Sequence, residues 1–262
     1  MKQTIIQVDS FTEKPFAGNP AGVCLLDGPA EEGWMQSVAN EMNLSETAFL
    51  YKKGDDYNLR WFTPAIEVKM CGHATLAAAY VLFNDNHVSF DRRITFHTLS
   101  GQLYASLNGE WIELNFPVRI SKEEPVPVGF EEALGFKPSY FAEAGEDCLA
   151  VCDSEETIRN LSPNISAIEK LSIRGLIVTA RGSGEYDFIS RFFAPAVGIP
   201  EDPVTGSAHC TLAPYWMNVL GKKEMIGYQA SPRGGAVRVR VEDDRVVLAG
   251  KAVIVIRGEL YT

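Results

Sequence analysis

Long apolar runs are the first thing missing from this 262-residue sequence. A membrane-spanning helix needs roughly 20 consecutive apolar residues. Nothing here approaches that, and Met1-Lys2-Gln3-Thr4-Ile5-Ile6-Gln7 lacks the core of a secretory signal, so a cytoplasmic protein without a membrane partner is expected. Positive charge is also short, with 24 Lys and Arg against 34 Asp and Glu and a net charge of −10. Such an average field repels phosphate backbones, which argues against nucleic acid as the partner but leaves room for a local anion site. Cysteines are few and scattered, at 24, 71, 148, 152 and 210, with no CxxC pair. Their odd number and spacing suit reduced, buried thiols better than a disulfide framework or a zinc site.

What is present suffices for a large core, because 46% of the residues are hydrophobic and 22% charged. Strands are expected at Thr4–Val8, Ala21–Leu26, Thr47–Tyr51 and Tyr57–Phe62, with a helix from about Glu31 to Met42. The stretch from Gly72 to Phe83 is apolar nearly all round, the mark of a helix buried on every side. Strands at Ile94–Phe96, Gln102–Leu107 and Trp111–Phe116 follow, the last two joined by an Asn108-Gly109 turn. Pro117, Pro125, Pro127 and the charged Lys122-Glu123-Glu124 then punctuate the chain and place a boundary near 118–128.

The second half repeats the first. Arg60-Trp61-Phe62-Thr63-Pro64 has an echo in Arg191-Phe192-Phe193-Ala194-Pro195, and Gly72 matches Gly206 at an offset of 206 − 72 = 134. The same offset carries Gly101 to Gly235 and Leu103 to Val237. The expected fold is therefore α+β in two similar halves, each a curved mixed β-sheet or barrel wrapped around a central buried helix. The halves are 1–118 with central helix 72–84, and 119–262 with central helix 206–220, the last strand returning to the first half.

The two helix starts, Cys71-Gly72-His73-Ala74 and Thr205-Gly206-Ser207-Ala208, are candidate binding elements. The first N–H groups of a helix have no intrahelical partner, and the macrodipole adds about half a positive charge there. Glycine lets a ligand approach the backbone, so two such starts across a cleft would suit a carboxylate or phosphate. The bland alternative is tight turns at Gly72 and Gly206, with Thr205 or Ser207 as an ordinary N-cap. Unlike residues occupy the two starts: Cys71 pairs with Thr205 and His73 with Ser207. A threonine hydroxyl is far too weak a base at neutral pH, which argues against a symmetrical two-thiol mechanism. Glu46, where a helix exit becomes an apolar strand, can serve as a desolvated general acid/base or be an ordinary strand-end carboxylate. Asp202, just before the second start, is a functional carboxylate or simply a favourable charge for the helix dipole. A metal centre from His73, His209 and Asp202 is disfavoured, because His209 lies two residues past Ser207 and points to another face.

Several motifs resemble the PhzF-like family of phenazine biosynthesis, whose fold is that of diaminopimelate epimerase. They are Val8-Asp9-Ser10-Phe11-Thr12, Pro15-Phe16-Ala17-Gly18-Asn19-Pro20-Ala21-Gly22-Val23 and Asn40-Glu41-Met42-Asn43-Leu44-Ser45-Glu46-Thr47-Ala48-Phe49. Arg60-Trp61-Phe62-Thr63-Pro64, Cys71-Gly72-His73-Ala74-Thr75 and Glu201-Asp202-Pro203-Val204-Thr205-Gly206-Ser207-Ala208 complete the set. The resemblance implies an isomerase that moves a proton within a small carboxylate-bearing substrate, with neither organic cofactor nor metal, in a homodimer. It implies Glu46 as general acid/base, with His73, Asp202 and Ser207 as further catalytic residues. Gly72, Gly206, Thr205, Cys71 and Asn19 would contact the substrate. Thr205 departs from the second epimerase thiol, and phenazine synthesis itself does not follow. Two other readings stay open: an epimerase or racemase using Cys71, and a catalytically idle dimeric binding protein. Hydrolysis by Cys71 is weaker, since residues two apart at a helix start need not point at each other.

Overall fold

Two helices with almost no polar surface organise the computed structural model, which describes residues 2–261. By contact the chain divides into two compact units, Met1–Asn115 with Ala249–Thr262, and Phe116–Leu248.

In the first unit, strands β1 (Lys2–Ser10) and β2 (Asn19–Leu26) precede helix α1 (Glu32–Met42). Strands β3 (Glu46–Lys53), β4 (Asp56–Phe62) and β5 (Glu67–Val68) lead to helix α2 (Gly72–Asn84). Then come β6 (Ile94–Thr98), β7 (Gly101–Asn108) and β8 (Trp111–Pro117). Neighbouring strands run antiparallel for β1/β2, parallel for β2/β3, antiparallel for β3/β4, parallel for β4/β6 and antiparallel for β6/β7. Helix α2 packs on β1, β2 and β3. Its buried face takes in Ala74, Leu76, Ala77, Ala78, Ala79, Val81, Leu82 and Phe83, nearly the whole circumference. A sheet must curve around such a helix, since no flat face could cover it. On the opposite side of the sheet α1 lays Met35, Val38 and Ala39 against Phe49 and Phe62.

The second unit begins with β9 (Lys122–Glu123), helix α3 (Phe130–Leu134), β10 (Tyr140–Ala144) and β11 (Asp147–Val151). Helices α4 (Glu155–Arg159) and α5 (Ile165–Glu169) precede β12 (Gly175–Arg181), β13 (Phe188–Ala194) and β14 (Ile199–Asp202). Helix α6 (Gly206–Leu220), β15 (Glu224–Gln229), β16 (Gly235–Glu242) and β17 (Arg245–Gly250) complete it. The final strand β18 (Ala252–Tyr261) runs antiparallel to β1 in the first unit. From β10 onward the pairings repeat the order of the first unit: antiparallel, parallel, antiparallel, parallel, antiparallel. Each unit is thus a mixed sheet around one central helix, the α+β fold read from the repeat.

The repeat reaches individual atoms. Arg60 donates from Nε and a terminal nitrogen to Glu67 at 2.6 and 2.7 Å, and its guanidinium lies 5.2 Å from the Phe62 ring centre. Arg191 does the same with Glu201 at 2.7 and 2.9 Å, its guanidinium 5.1 Å from the Phe193 ring centre. Each forked pair braces the segment that leads into its central helix. Helix α6 adds a local exception. Pro214 inside it supplies no N–H to the Cys210 carbonyl, and the backbone N–H of Arg119 takes that acceptor at 3.0 Å.

The loop between β1 and β2 is conformationally demanding. Phe11, Phe16 and Gly18 have φ of +64°, +69° and +62°, and the Phe16 N–H donates to the buried Asp9 carboxylate at 2.7 Å. A Cβ on Gly18 would fall 2.1 Å from the Ser10 carbonyl oxygen, a backbone atom that cannot turn aside. Gly18→Ala is expected to cost about 2–3 kcal/mol. Urea denaturation tests this, and an unchanged midpoint would contradict it.

Candidate active site

Glu46 opens β3, opposite Ala21 of β2, directly after α1 ends at Asn43 in a left-handed C-cap. That short connection brings a carboxylate to the edge of the core, where its side chain keeps 15% exposure. It is therefore not the solvent-facing strand-end glutamate of the bland reading. The helix start supplies its neighbours. Cys71 is the extended N-cap residue of α2, and His73 lies in the first turn, both buried. Glu46 Oε2 stands 3.2 Å from His73 Nε2, and Cys71 Sγ stands 3.5 Å from His73 Nδ1. The carboxylate contact is close in distance but lacks the alignment of a hydrogen bond. Ser10 Oγ donates to the His73 carbonyl at 2.8 Å, and Ser10 pairs with the fully buried Asn19 across β1 and β2. Asn19 is thus linked to the helix start through its strand partner Ser10.

Burial drives the His73 pKa down to about 3, even with the Glu46 carboxylate beside it. The imidazole is neutral at physiological pH. The neutral ring carries its proton on one nitrogen, and which one sets the role of Nδ1 toward the Cys71 thiol. Cys71 and His73 therefore do meet, although residues two apart at a helix start need not. The extended backbone at Cys71, φ −147° and ψ 113°, swings the side chain back beside the first turn.

Glu46, Cys71 and His73 each bring one donor atom within 4.8 Å of the others, the cluster of metal-ligand type found among the described residues. Oxygen, sulfur and imidazole nitrogen could ligate a borderline cation. The positive end of α2 points at the same place and favours an anion instead. His209 and Asp202 are not part of this cluster.

In the second unit, Asp202 ends β14 and Thr205 is the extended N-cap residue of α6. Thr205 Oγ1 donates to Asp202 Oδ2 at 2.5 Å. Ser207 follows in the first turn, half-buried, and Gly206 is the first helical residue, as Gly72 is in α2. Neither Cys71 nor Thr205 makes a side-chain cap to its helix, so the ordinary N-cap reading of Thr205 fails. His209 is fully buried, with Nδ1 2.8 Å from the Thr205 carbonyl, and burial drives its pKa down to about 4.

Gln229, at the end of β15, was not singled out in the sequence. It is fully buried, accepts from the Thr205 N–H at 2.8 Å, and donates to the Asp202 carbonyl at 2.8 Å and to Thr205 Oγ1 at 3.1 Å. A lone glutamine more than 20 residues downstream carries no spacing signal that could have revealed it.

The sites of the two units differ where their topologies agree. Thr47 pairs with Phe62 as Leu176 pairs with Phe193, so the counterpart of Glu46 is Gly175. A Cβ there would lie 2.5 Å from both Asp147 Oδ1 and the Phe192 ring. The second unit has no room for an acid/base at that position.

Comparison with known proteins bears on what this arrangement does. The family model for phenazine biosynthesis-like proteins, PhzC-PhzF, matches residues 8–258. The chain belongs to this family. A Halalkalibacterium halodurans protein named as an uncharacterized isomerase is 53% identical, covering 99% of each chain. A PhzF-family crystal structure from Enterococcus faecalis superposes with a TM-score of 0.97 at 42% identity, covering 100% of both chains. A hydroxyproline epimerase from Agrobacterium vitis shares the fold at a TM-score of 0.65 and 9% identity, covering 99% of this chain and 92% of its own. Family membership and the names of its relatives support an isomerase role.

Two buried neutral histidines make stability fall with acid. His73 and His209 have folded pKa values of about 3 and about 4, below the ordinary 6.5, so the unfolded chain binds their protons first. Stability is expected to be fully present above about pH 6.5 and to decline through the window down to these folded values. Urea midpoints between pH 7 and 4.5 check the sign. Histidine NMR should find both rings neutral down to pH 5, and a His73 titration near 6.5 would overturn the assignment.

Proposed function

We propose that this chain is an isomerase that moves a proton within a small carboxylate-bearing molecule, with Glu46 as its general acid/base and without metal or organic cofactor. The observation that carries this reading is the largely buried Glu46 carboxylate beside the neutral His73 ring, at a helix start with no side-chain cap. The backbone N–H groups of Gly72 and His73 suit a substrate carboxylate, because they lack intrahelical partners and carry the positive end of the dipole. Holding the carboxylate there draws electron density from the adjacent carbon acid. Glu46 then takes the C–H proton, the bond's electrons pass into the substrate's conjugated system, and Glu46 returns the proton to a different carbon. Atoms and charge balance within the substrate, so no oxidant or reductant is consumed.

His73 fits as a positioning partner of Glu46 that stays uncharged. Keeping it neutral avoids an imidazolium that would hold the carboxylate ionised and too weakly basic. Asp202, Thr205, Gly206 and Ser207 are assigned to the same reaction on the family resemblance, with Asn19 as a substrate contact. A cytoplasmic homodimer is the accompanying proposal. The substrate is a small anion of unassigned pathway.

A second reading has one specific observation in its favour: the Cys71 thiol 3.5 Å from His73 Nδ1, an arrangement that can activate a cysteine base for epimerisation. Metabolite mixtures incubated in deuterated water separate the two. Glu46→Gln is expected to lower carbon-bound label uptake by about 10²- to 10⁴-fold while ligand binding stays within a few-fold. Cys71→Ser should keep exchange within an order of magnitude. Wild-type exchange in Glu46→Gln, with loss in Cys71→Ser, would replace this reading by the thiol one. Binding without exchange in the wild-type chain would favour an idle binding protein.

A further inference from the structure

We infer that Gln229 is a positioning residue that keeps the start of α6 open by holding the Thr205 hydroxyl away from it. The inference rests on the proposed use of the helix starts to hold a substrate carboxylate. A threonine in the N-cap position ordinarily turns its Oγ back to accept from the N–H of the second or third helical residue, stabilising the helix by about 1 kcal/mol. Thr205 has the right residue type, the right place and the right extended backbone, φ −110° and ψ 101°, yet makes no such bond.

Its hydroxyl is committed elsewhere on both sides. It donates to Asp202 Oδ2 at 2.5 Å and accepts from Gln229 Nε2 at 3.1 Å. Gln229 fixes the arrangement by bonding the backbone as well. Its Oε1 accepts from the Thr205 N–H at 2.8 Å, and its Nε2 also donates to the Asp202 carbonyl at 2.8 Å. In a capping box the third helical residue reaches back to the N–H of the cap residue. Here a side chain from β15 satisfies that N–H, and the rest of the box is left unmade. Gln229 is fully buried, and its three hydrogen bonds use the oxygen as acceptor and both N–H groups as donors, which fixes the flip of the carboxamide.

The consequence is chemical rather than architectural. The hydroxyl that would compete with an incoming anion for the first N–H groups of α6 is tied back, and the Asp202 carboxylate it touches is held in register with the helix start. The first unit needs no such device, because its cap residue is Cys71, whose thiol is a weak acceptor. At the repeat offset of 134, Asp202 falls on Val68 and Gln229 on Thr95.

An NMR titration of the full chain with acetate as the carboxylate probe, following the Gly206, Ser207 and Ala208 amides, tests this. Wild-type amides should shift saturably. Gln229→Met, which frees the hydroxyl to cap, should weaken acetate binding about tenfold, the loss expected for one charge-assisted hydrogen bond. It should also slow hydrogen exchange of the Ser207 or Ala208 amide. Adding Thr205→Val removes the competing hydroxyl and should tighten acetate binding about threefold relative to Gln229→Met alone. A merely structural glutamine predicts the opposite, since the second substitution would compound the damage. Gln229→Glu, which keeps the acceptor for the Thr205 N–H but loses the donors when ionised, serves if the methionine variant does not fold. Wild-type affinity in the Gln229 variant, or a double variant as weak as the single, overturns the role of Gln229. Wild-type α6 amides that ignore acetate overturn the anion-holding reading of that helix start itself.

Discussion

A helix buried on every side is the constraint on which the rest of this structure depends. Helix α2 hides nearly its whole circumference, and α6 comes close. Burying them satisfies the hydrophobic side chains but leaves the backbone N–H groups of the first turn without partners inside the helix. In most proteins a capping hydroxyl or carboxylate closes that end. Here Cys71 offers no side-chain cap and Thr205 offers none either. Both residues spend their side chains elsewhere, Cys71 towards His73 and Thr205 towards Asp202 and Gln229. The two ends therefore combine a positive dipole, a glycine and no side-chain cap, the features on which the proposed anion site rests.

Duplication explains the fold, and the two units depart from it at their helix starts. Strand directions follow the same order in both units, and the forked Arg–Glu pairs at Arg60–Glu67 and Arg191–Glu201 use the same donor atoms. These are structural features. The reactive positions differ. Glu46 corresponds to Gly175, Cys71 to Thr205, His73 to Ser207 and Val68 to Asp202. In the proposed reaction one acid/base must reach both carbons, and a second equivalent base would compete with it. A glycine pinned against Asp147 and Phe192 excludes that second base sterically.

Burial also sets the electrostatic character of the Glu46 site. An imidazole beside a carboxylate commonly becomes an imidazolium, and the pair then loses its basicity to an internal ion pair. The nearly complete burial of His73 tips the balance to the neutral ring. His209 is neutral for the same reason but faces the Thr205 carbonyl and the Phe188 ring, where it supports the helix start from within. The two buried histidines thus differ in what they face, His73 a carboxylate and His209 a backbone carbonyl.

Local residue order was enough to determine the central helices, most strands, the offset of 134 between the halves and the glycines at the two helix starts, because periodicity and turn chemistry act over a few neighbours. The motifs that carry the family resemblance lie in contiguous segments for the same reason. Tertiary structure alone decided that the Glu46 carboxylate is largely buried, since this depends on β2 and α2 together. It alone brought Cys71 against His73 through the extended backbone at the cap, and drew Gln229 from β15 onto Thr205. Side-chain direction at a helix end and contacts across 24 residues of chain are set by packing, which no local pattern of residues encodes.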